Sequence, residues 1–81
     1  MDSFTLEPGE TREVKYDAPT GASRVLVTGS VGNLVEDFKR WNVSHGSGPI
    51  PFHGDVRAGE RVTLRVRNGL PTRQVISVSF A

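Results

Sequence analysis

Cysteine is absent from this 81-residue chain, which excludes disulfide scaffolding, thiol catalysis and cysteine-ligated zinc. Charge of one sign is also missing. Ten basic against nine acidic residues leave a formal net charge of +1, the balance of neither a nucleic-acid sponge nor an acidic tail. No charged-then-apolar leader and no apolar run long enough for a membrane span occur, so nothing marks secretion or insertion, and no membrane partner is expected. The catalytic signatures are missing as well. There is no Gly-x-x-x-x-Gly-Lys-Ser/Thr phosphate loop and no Gly-x-Ser-x-Gly elbow, and Gly29-Ser30-Val31-Gly32 lacks the lysine and spacing of a nucleotide fingerprint. A non-enzymatic chain without cofactors is therefore expected. A small domain with neither disulfide nor metal also raises the expectation of oligomerisation or docking.

Valine dominates the apolar residues that are present, and alanine is scarce, a balance that suits strands. Turn signals recur at intervals near ten residues, as in an all-β sandwich or barrel. Phe4 and Leu6 alternate up to Glu7-Pro8-Gly9-Glu10, and Thr11–Tyr16 resumes with Val14 and Tyr16 on one face. Ser23–Ser30 is apolar on both faces, the mark of a central strand. Arg61–Arg67 has a clean period of two, with Val62, Leu64 and Val66 against Arg61, Thr63, Arg65 and Arg67. After the turn Asn68-Gly69-Leu70-Pro71-Thr72, Arg73–Phe80 alternates again. Pairing these last two strands about Leu70 sets Leu64 opposite Ile76, Val62 opposite Val78 and Arg67 opposite Arg73.

The middle of the chain breaks this rhythm. Asn33 with Glu36 has capping-box spacing, and Leu34, Phe38 and Trp41 share one helical face, so a short helix is predicted near residues 34–42. His45-Gly46-Ser47-Gly48-Pro49-Ile50-Pro51 reads as a loop, and Phe52–Val56 as a short edge strand. The fold expected is thus mainly β: one antiparallel sandwich or barrel of about six strands over residues 1–81, with one short helix. An internal echo joins Leu6-Glu7-Pro8-Gly9-Glu10-Thr11 to Val56-Arg57-Ala58-Gly59-Glu60-Arg61. Either two related half-sheets face each other or, more simply since few positions match, two turns use the same chemistry.

Two surfaces are candidates for a partner. Arg61, Arg65, Arg67 and Arg73 would share the outer face of one hairpin, and the opposed Arg67 and Arg73 would call for an anion or a neighbouring subunit's carboxylates. Pairing within the chain, with Glu10, Glu13 or Glu60, is the plainer account. No aromatic residue is interleaved with this row, so protein contact is expected rather than nucleic acid. Trp41 with Phe38 and the Pro49-Ile50-Pro51-Phe52 segment forms the second surface, of the aromatic kind that anchors protein interfaces; the alternative is that Leu34, Phe38 and Trp41 lie over an open end of the sandwich and seal the core. His45 and His53, with Asp37 and Asp55, match no metal-site spacing and read as solvated loop residues. Asn42-Val43-Ser44 matches a glycosylation sequon, read as accidental where no leader is seen.

With these residues in place, Phe4-Thr5-Leu6-Glu7-Pro8-Gly9-Glu10 followed by Val14 and Tyr16 looks like the opening of many small Ig-like accessory modules, and Val56–Leu64 repeats that look. A cysteine-free, arginine-biased β module of this size is also similar in style to bacteriophage capsid decoration (cement) proteins. That likeness covers size and strand-rich character, and it carries over no residue. It implies a virion accessory protein that docks as a homo-oligomer on a major capsid or other assembly protein, located on the virion or otherwise in the cytoplasm. Two other readings stand beside it. One is an Ig-like or carbohydrate-binding module with Trp41, Tyr16 or Phe52 as stacking platform. The other is a small inhibitor or regulator docking on a host protein.

Overall fold

A computed structural model describes residues 2–81. Eight strands form: β1 (Asp2–Leu6), β2 (Thr11–Asp17), β3 (Arg24–Thr28), β4 (Asn33–Arg40), β5 (Val43–Pro49), β6 (Phe52–Asp55), β7 (Arg61–Asn68) and β8 (Gln74–Phe80). They make two four-stranded antiparallel sheets, ordered β1-β8-β3-β6 and β2-β7-β4-β5. The sheets pack face to face as an open sandwich rather than closing into a barrel. Between them lie Leu6, Val25, Val27, Val35, Phe38, Ile50, Val62, Leu64, Val66, Ile76 and Val78. The valine-rich strands supply this core because a branched side chain packs well on a pleated face.

No helix forms at residues 34–42, which are β4 and the turn after it. The segment is a bulged strand. β4 carries a bulge, with register shifts against β7 between Val35 and Asp37 and against β5 between Val35 and Phe38. The extra residue sets the inward side chains Val35 and Phe38 three apart instead of two. The face read as helical is divided: Phe38 is 3% exposed, Leu34 41% and Trp41 58%. The segment read as a loop from His45 onward is strand β5, which raises the strand number above six.

The last two strands do not pair. β7 sits between β2 and β4 in one sheet, β8 between β1 and β3 in the other. Leu64 lies opposite Val14 and Phe38, and Ile76 opposite Phe4. Both strands alternate as their sequences require, but the alternation fills the inner faces of two facing sheets and not one ladder. Asn68-Gly69-Leu70-Pro71-Thr72 crosses the sandwich, held by the fully buried Asn68. Its Nδ2 donates to the carbonyls of Leu6 (3.2 Å) and Thr72 (2.8 Å), and its Oδ1 accepts from the Leu70 amide (2.8 Å). Among the described residues, β4–β5 is the one pair of consecutive strands joined within a sheet.

The echoed segments are structural equivalents. Each leads from the first sheet into the second, each has a glycine in the left-handed region (Gly9 φ 74°, Gly59 φ 83°), and in each the glutamate carboxylate closes the turn. Glu10 Oε1 accepts from the Glu7 amide at 2.8 Å, and Glu60 Oε1 from the Arg57 amide at 2.6 Å. The strand registers obey the same relation. The pair Phe4–Ile76 corresponds to Gly54–Val25, and Thr11–Arg67 to Arg61–Asp17, while Val14–Leu64 and Val27–Val78 lie on the pseudo-two-fold axis. β1–β3 and β6–β8 are thus related halves, and the β4–β5 hairpin is added on one side only. Shared turn chemistry alone would not produce matching registers.

These turns predict a pH dependence. Arg40 and the Arg57 amide hold the Glu60 carboxyl below its ordinary value of 4.5, the Glu7 amide and Arg12 do so for Glu10, and Arg73 for Glu7. A folded value below the unfolded one gives stability that is present above about 4.5 and is lost as pH falls through the lower folded values. Thermal melts should therefore drop progressively below pH 4.5, and Glu60→Gln should flatten that acid limb; a limb unchanged by the substitution would exclude Glu60 as its source.

Candidate functional site

Arg61, Arg65 and Arg67 occupy the outer face of β7, as their alternation requires, but each meets a different neighbour. Arg61 lies opposite Asp17, with its Nε 2.7 Å from Oδ1. Arg65 lies between Glu13 and Asp37 in register and 3.5 Å from Glu36. Arg67 lies between Thr11 and Leu34, with no carboxylate within salt-bridge distance among the described residues. Arg73 is not on this face. It precedes β8 at the other sheet and holds Glu7 in a fork, Nε to Oε2 at 2.7 Å and Nη2 to Oε1 at 3.0 Å. The expected opposition of Arg67 and Arg73 therefore does not occur, since their strands belong to different sheets. No external anion is needed to relieve it.

Ile50 is buried in the core at 1% exposure, where the Pro49-Ile50-Pro51 crossover (its Ile50–Pro51 bond cis) carries the chain from β5 to β6. Phe52 is half-buried, edge-on to Phe38 with ring centres 5.8 Å apart. Both lie at the open side of the sandwich, where β5 and β6 are the two sheet edges. A cleft of about 510 Å³ runs along this seam, lined by Phe38, Arg40, His45, Phe52, His53 and Asp55. The Arg40 guanidinium at its end is committed to Glu60 through two 3.0 Å bonds. That bond, more than the opposing burial, raises the arginine's pKa. His45 tilts against Phe38 at 6.3 Å. Among the described residues no three histidine or acidic groups come together in a way that could hold a metal ion.

Trp41 stands apart from that seam. With Asn42 it forms the two-residue connection between the paired Arg40 and Val43, and it is the one described non-glycine residue in the left-handed region (φ 57°). Positive φ at the first central position alone marks a type II′ turn, a position that ordinarily takes glycine. The Trp41 amide donates to the Arg61 carbonyl at 2.7 Å, which ties the tip to the start of β7. The indole is 58% exposed and borders a shallow niche of about 290 Å³ with Lys15, Asn42, Arg61 and Thr63. A tryptophan face beside two cations and two neutral hydrogen-bonding side chains can grip an extended peptide or a loop, by stacking at the centre and forked donors at the rim.

Of the residues marked from sequence, the structure brings Trp41 and Arg61 together. Phe52 and Ile50 lie together elsewhere, Arg65 and Arg67 continue the outer row of β7 beyond Arg61, and Arg73 alone stands apart, before β8. Lys15, Asn42 and Thr63 were not marked. Lys15 was legible as an outward residue of β2, but only the β4–β5 turn shows that Trp41 lies near it. Comparison with known protein families, curated proteins and solved structures finds no match to the chain.

Proposed function

We propose that this chain is a non-enzymatic interaction protein that lies against a larger protein assembly, with Trp41 as its anchor and Lys15 and Arg61 beside it. One observation carries the reading. A bulky residue occupies a backbone conformation that disfavours it by about 1–2 kcal/mol, at a hairpin tip, with its side chain displayed to solvent. Among the described residues the core closes without the indole, which is not part of the buried cluster. Strain of this kind collects where a surface is shaped for a ligand, and exposed tryptophan flanked by arginine is the residue pair that dominates protein interfaces. The finer form of the proposal is a decoration protein that reinforces the outside of a viral shell; the chain's size, strand content and arginine bias support it.

The test uses the chain's single tryptophan as its own probe. Titration with empty viral shells should shift Trp41 emission to the blue and carry the protein into the shell fraction on sedimentation. Trp41→Gly should abolish co-sedimentation while leaving the fold as stable or more stable by about 0.5–1 kcal/mol, because relief of backbone strain outweighs the added freedom of the unfolded chain. Unchanged emission together with no co-sedimentation would sink the shell reading. A Trp41→Gly variant that still docks would sink the anchor.

The carbohydrate reading also narrows to Trp41. Tyr16 is packed edge-on against Phe80 and Phe52 against Phe38, so of the three platforms named from sequence only the indole offers an open face. Glycan-array binding that disappears in Trp41→Ala would favour it over a protein partner.

A further inference from the structure

The structure assigns a second role to the free edge of β2: we propose that two copies of the chain pair there, antiparallel about Val14, and join their second sheets into one of eight strands. β2 has β7 on one side and, among the described residues, no strand on the other. Its register with β7 runs without interruption from Thr11–Arg67 to Asp17–Arg61. The Glu10 carbonyl accepts from the Asn68 amide at 2.9 Å, and the Ala18 amide donates to the Glu60 carbonyl at 2.8 Å. Main-chain groups alternate along a strand, so the even-numbered residues of β2 face β7, and Thr11, Glu13, Lys15 and Asp17 turn their N–H and C=O groups outward. These four are the groups that a neighbouring strand would take.

Charge then selects the register. Centred on Val14, antiparallel self-pairing sets Glu13 opposite Lys15 of the second copy and Lys15 opposite its Glu13, with Thr11 opposite Asp17. Sliding by two residues one way sets Lys15 on Lys15 and Glu13 on Asp17; sliding the other way sets Glu13 on Glu13. Sliding by one residue turns the inner face outward. Like charges directly opposed are destabilising and unlike ones stabilising, so one alignment is favoured and its neighbours are penalised. The same alignment uses the outward main-chain groups in mutual pairs, Glu13 with Lys15 and Thr11 with Asp17. It also brings the half-buried Val14 and Tyr16 beneath a second strand.

The pseudo-two-fold within the chain makes the vacancy specific. β2 and β7 are equivalent strands, and the far side of β7 is covered by β4, whereas the corresponding side of β2 is open. A second copy fills the place that the β4–β5 hairpin takes in the other half. The charged residues of β2 deter indiscriminate strand addition, the usual reason for charge on an edge, while their alternation admits a copy of themselves.

The dimer does not depend on the docking role of Trp41, and the experiment separates the two. Light scattering should give twice the 8.8 kDa chain mass at high concentration. Glu13→Lys and Lys15→Glu, both at side chains at least half exposed, should each weaken the dimer at least tenfold without loss of the melting transition. Mixing these two variants in equal amounts should restore the dimer, because every opposed pair is then again unlike. Trp41→Ala should leave the mass unchanged. A wild-type chain that stays at single mass throughout, or a dimer indifferent to both charge reversals, overturns the proposal; dimerisation lost only with Trp41 would move the interface to the hairpin tip.

Discussion

Alanine in place of Asn68 is expected to lower stability by about 3 kcal/mol, since each buried polar group left without a partner costs on the order of 1–3 kcal/mol. Three main-chain groups are deprived at once: the carbonyls of Leu6 and Thr72 and the amide of Leu70. The loss follows from topology. β7 and β8 belong to different sheets, so residues 69–73 cross the end of the sandwich without ladder partners, and a buried carboxamide supplies what a neighbouring strand cannot. The melting temperature should fall by roughly 12–24 °C, at about 4–8 °C per kcal/mol for a domain this small. Asn33 gives the internal comparison. It is equally buried, yet its side chain makes one bond, Nδ2 to the Ser30 carbonyl at 2.9 Å, and its Oδ1 has no partner. Asn33→Ala removes an unsatisfied acceptor together with that bond and should cost about 1 kcal/mol or less. Equal losses from the two substitutions, measured by urea denaturation at constant slope, would show that the crossing loop does not depend on Asn68.

The contrast between these asparagines also marks how far the sequence can be read. Asn68-Gly69 is a strong hairpin signal, and Val62, Leu64, Ile76 and Val78 carry the right alternation for one. Alternation reports which face is buried but not which strand lies alongside, because the inner faces of two facing sheets show the same pattern. The β class, the inward residues of β2, β7 and β8, and the outward arginines of β7 were legible for that reason. The middle was not. The helical face was read from Leu34, Phe38 and Trp41, of which only Phe38 is buried; a bulge at Glu36 and Asp37 places Phe38 inward with Val35 instead, and periodicity does not display a bulge. Trp41 was marked as an anchor on residue type alone; its left-handed backbone and its proximity to Arg61 come only from the turn that the helix reading had hidden. The echo had a visible signal, Pro/Ala-Gly-Glu after an apolar residue, but the relation of the halves lies in strand registers, which sequence does not display.

Gly54→Ala is the other substitution expected to have a large effect, about 2–3 kcal/mol from overpacking. Gly54 lies in β6 opposite Val25, and the space of a side chain there is filled from the facing sheet by the Phe38 ring. A Cβ would come within 2.9 Å of both Cδ2 and Cζ of that ring. Gly54 is not among the glycines of positive φ, so backbone freedom plays no part and the cost is steric. Phe38 cannot yield freely, since Phe52 meets it edge-on and His45 lies against it. Gly48→Ala is the control. Its Cβ would sit 3.5 Å from Phe52, an ordinary contact, and the change should be near neutral. Combined with Phe38→Leu, Gly54→Ala should cost less than the two single losses added together, a coupling of about 1 kcal/mol or more between touching groups; strict additivity would remove Phe38 as the cause. The related half explains why the glycine is there. Phe4 holds the position equivalent to Gly54, placing its own ring at the edge of the core beneath Arg12, with 5.7 Å from guanidinium to ring centre. On the side where β4 lies, its Phe38 fills that volume and the β6 position carries no side chain. On the other side the ring stands on β1, and β2 there keeps the edge at which a second copy is proposed to pair.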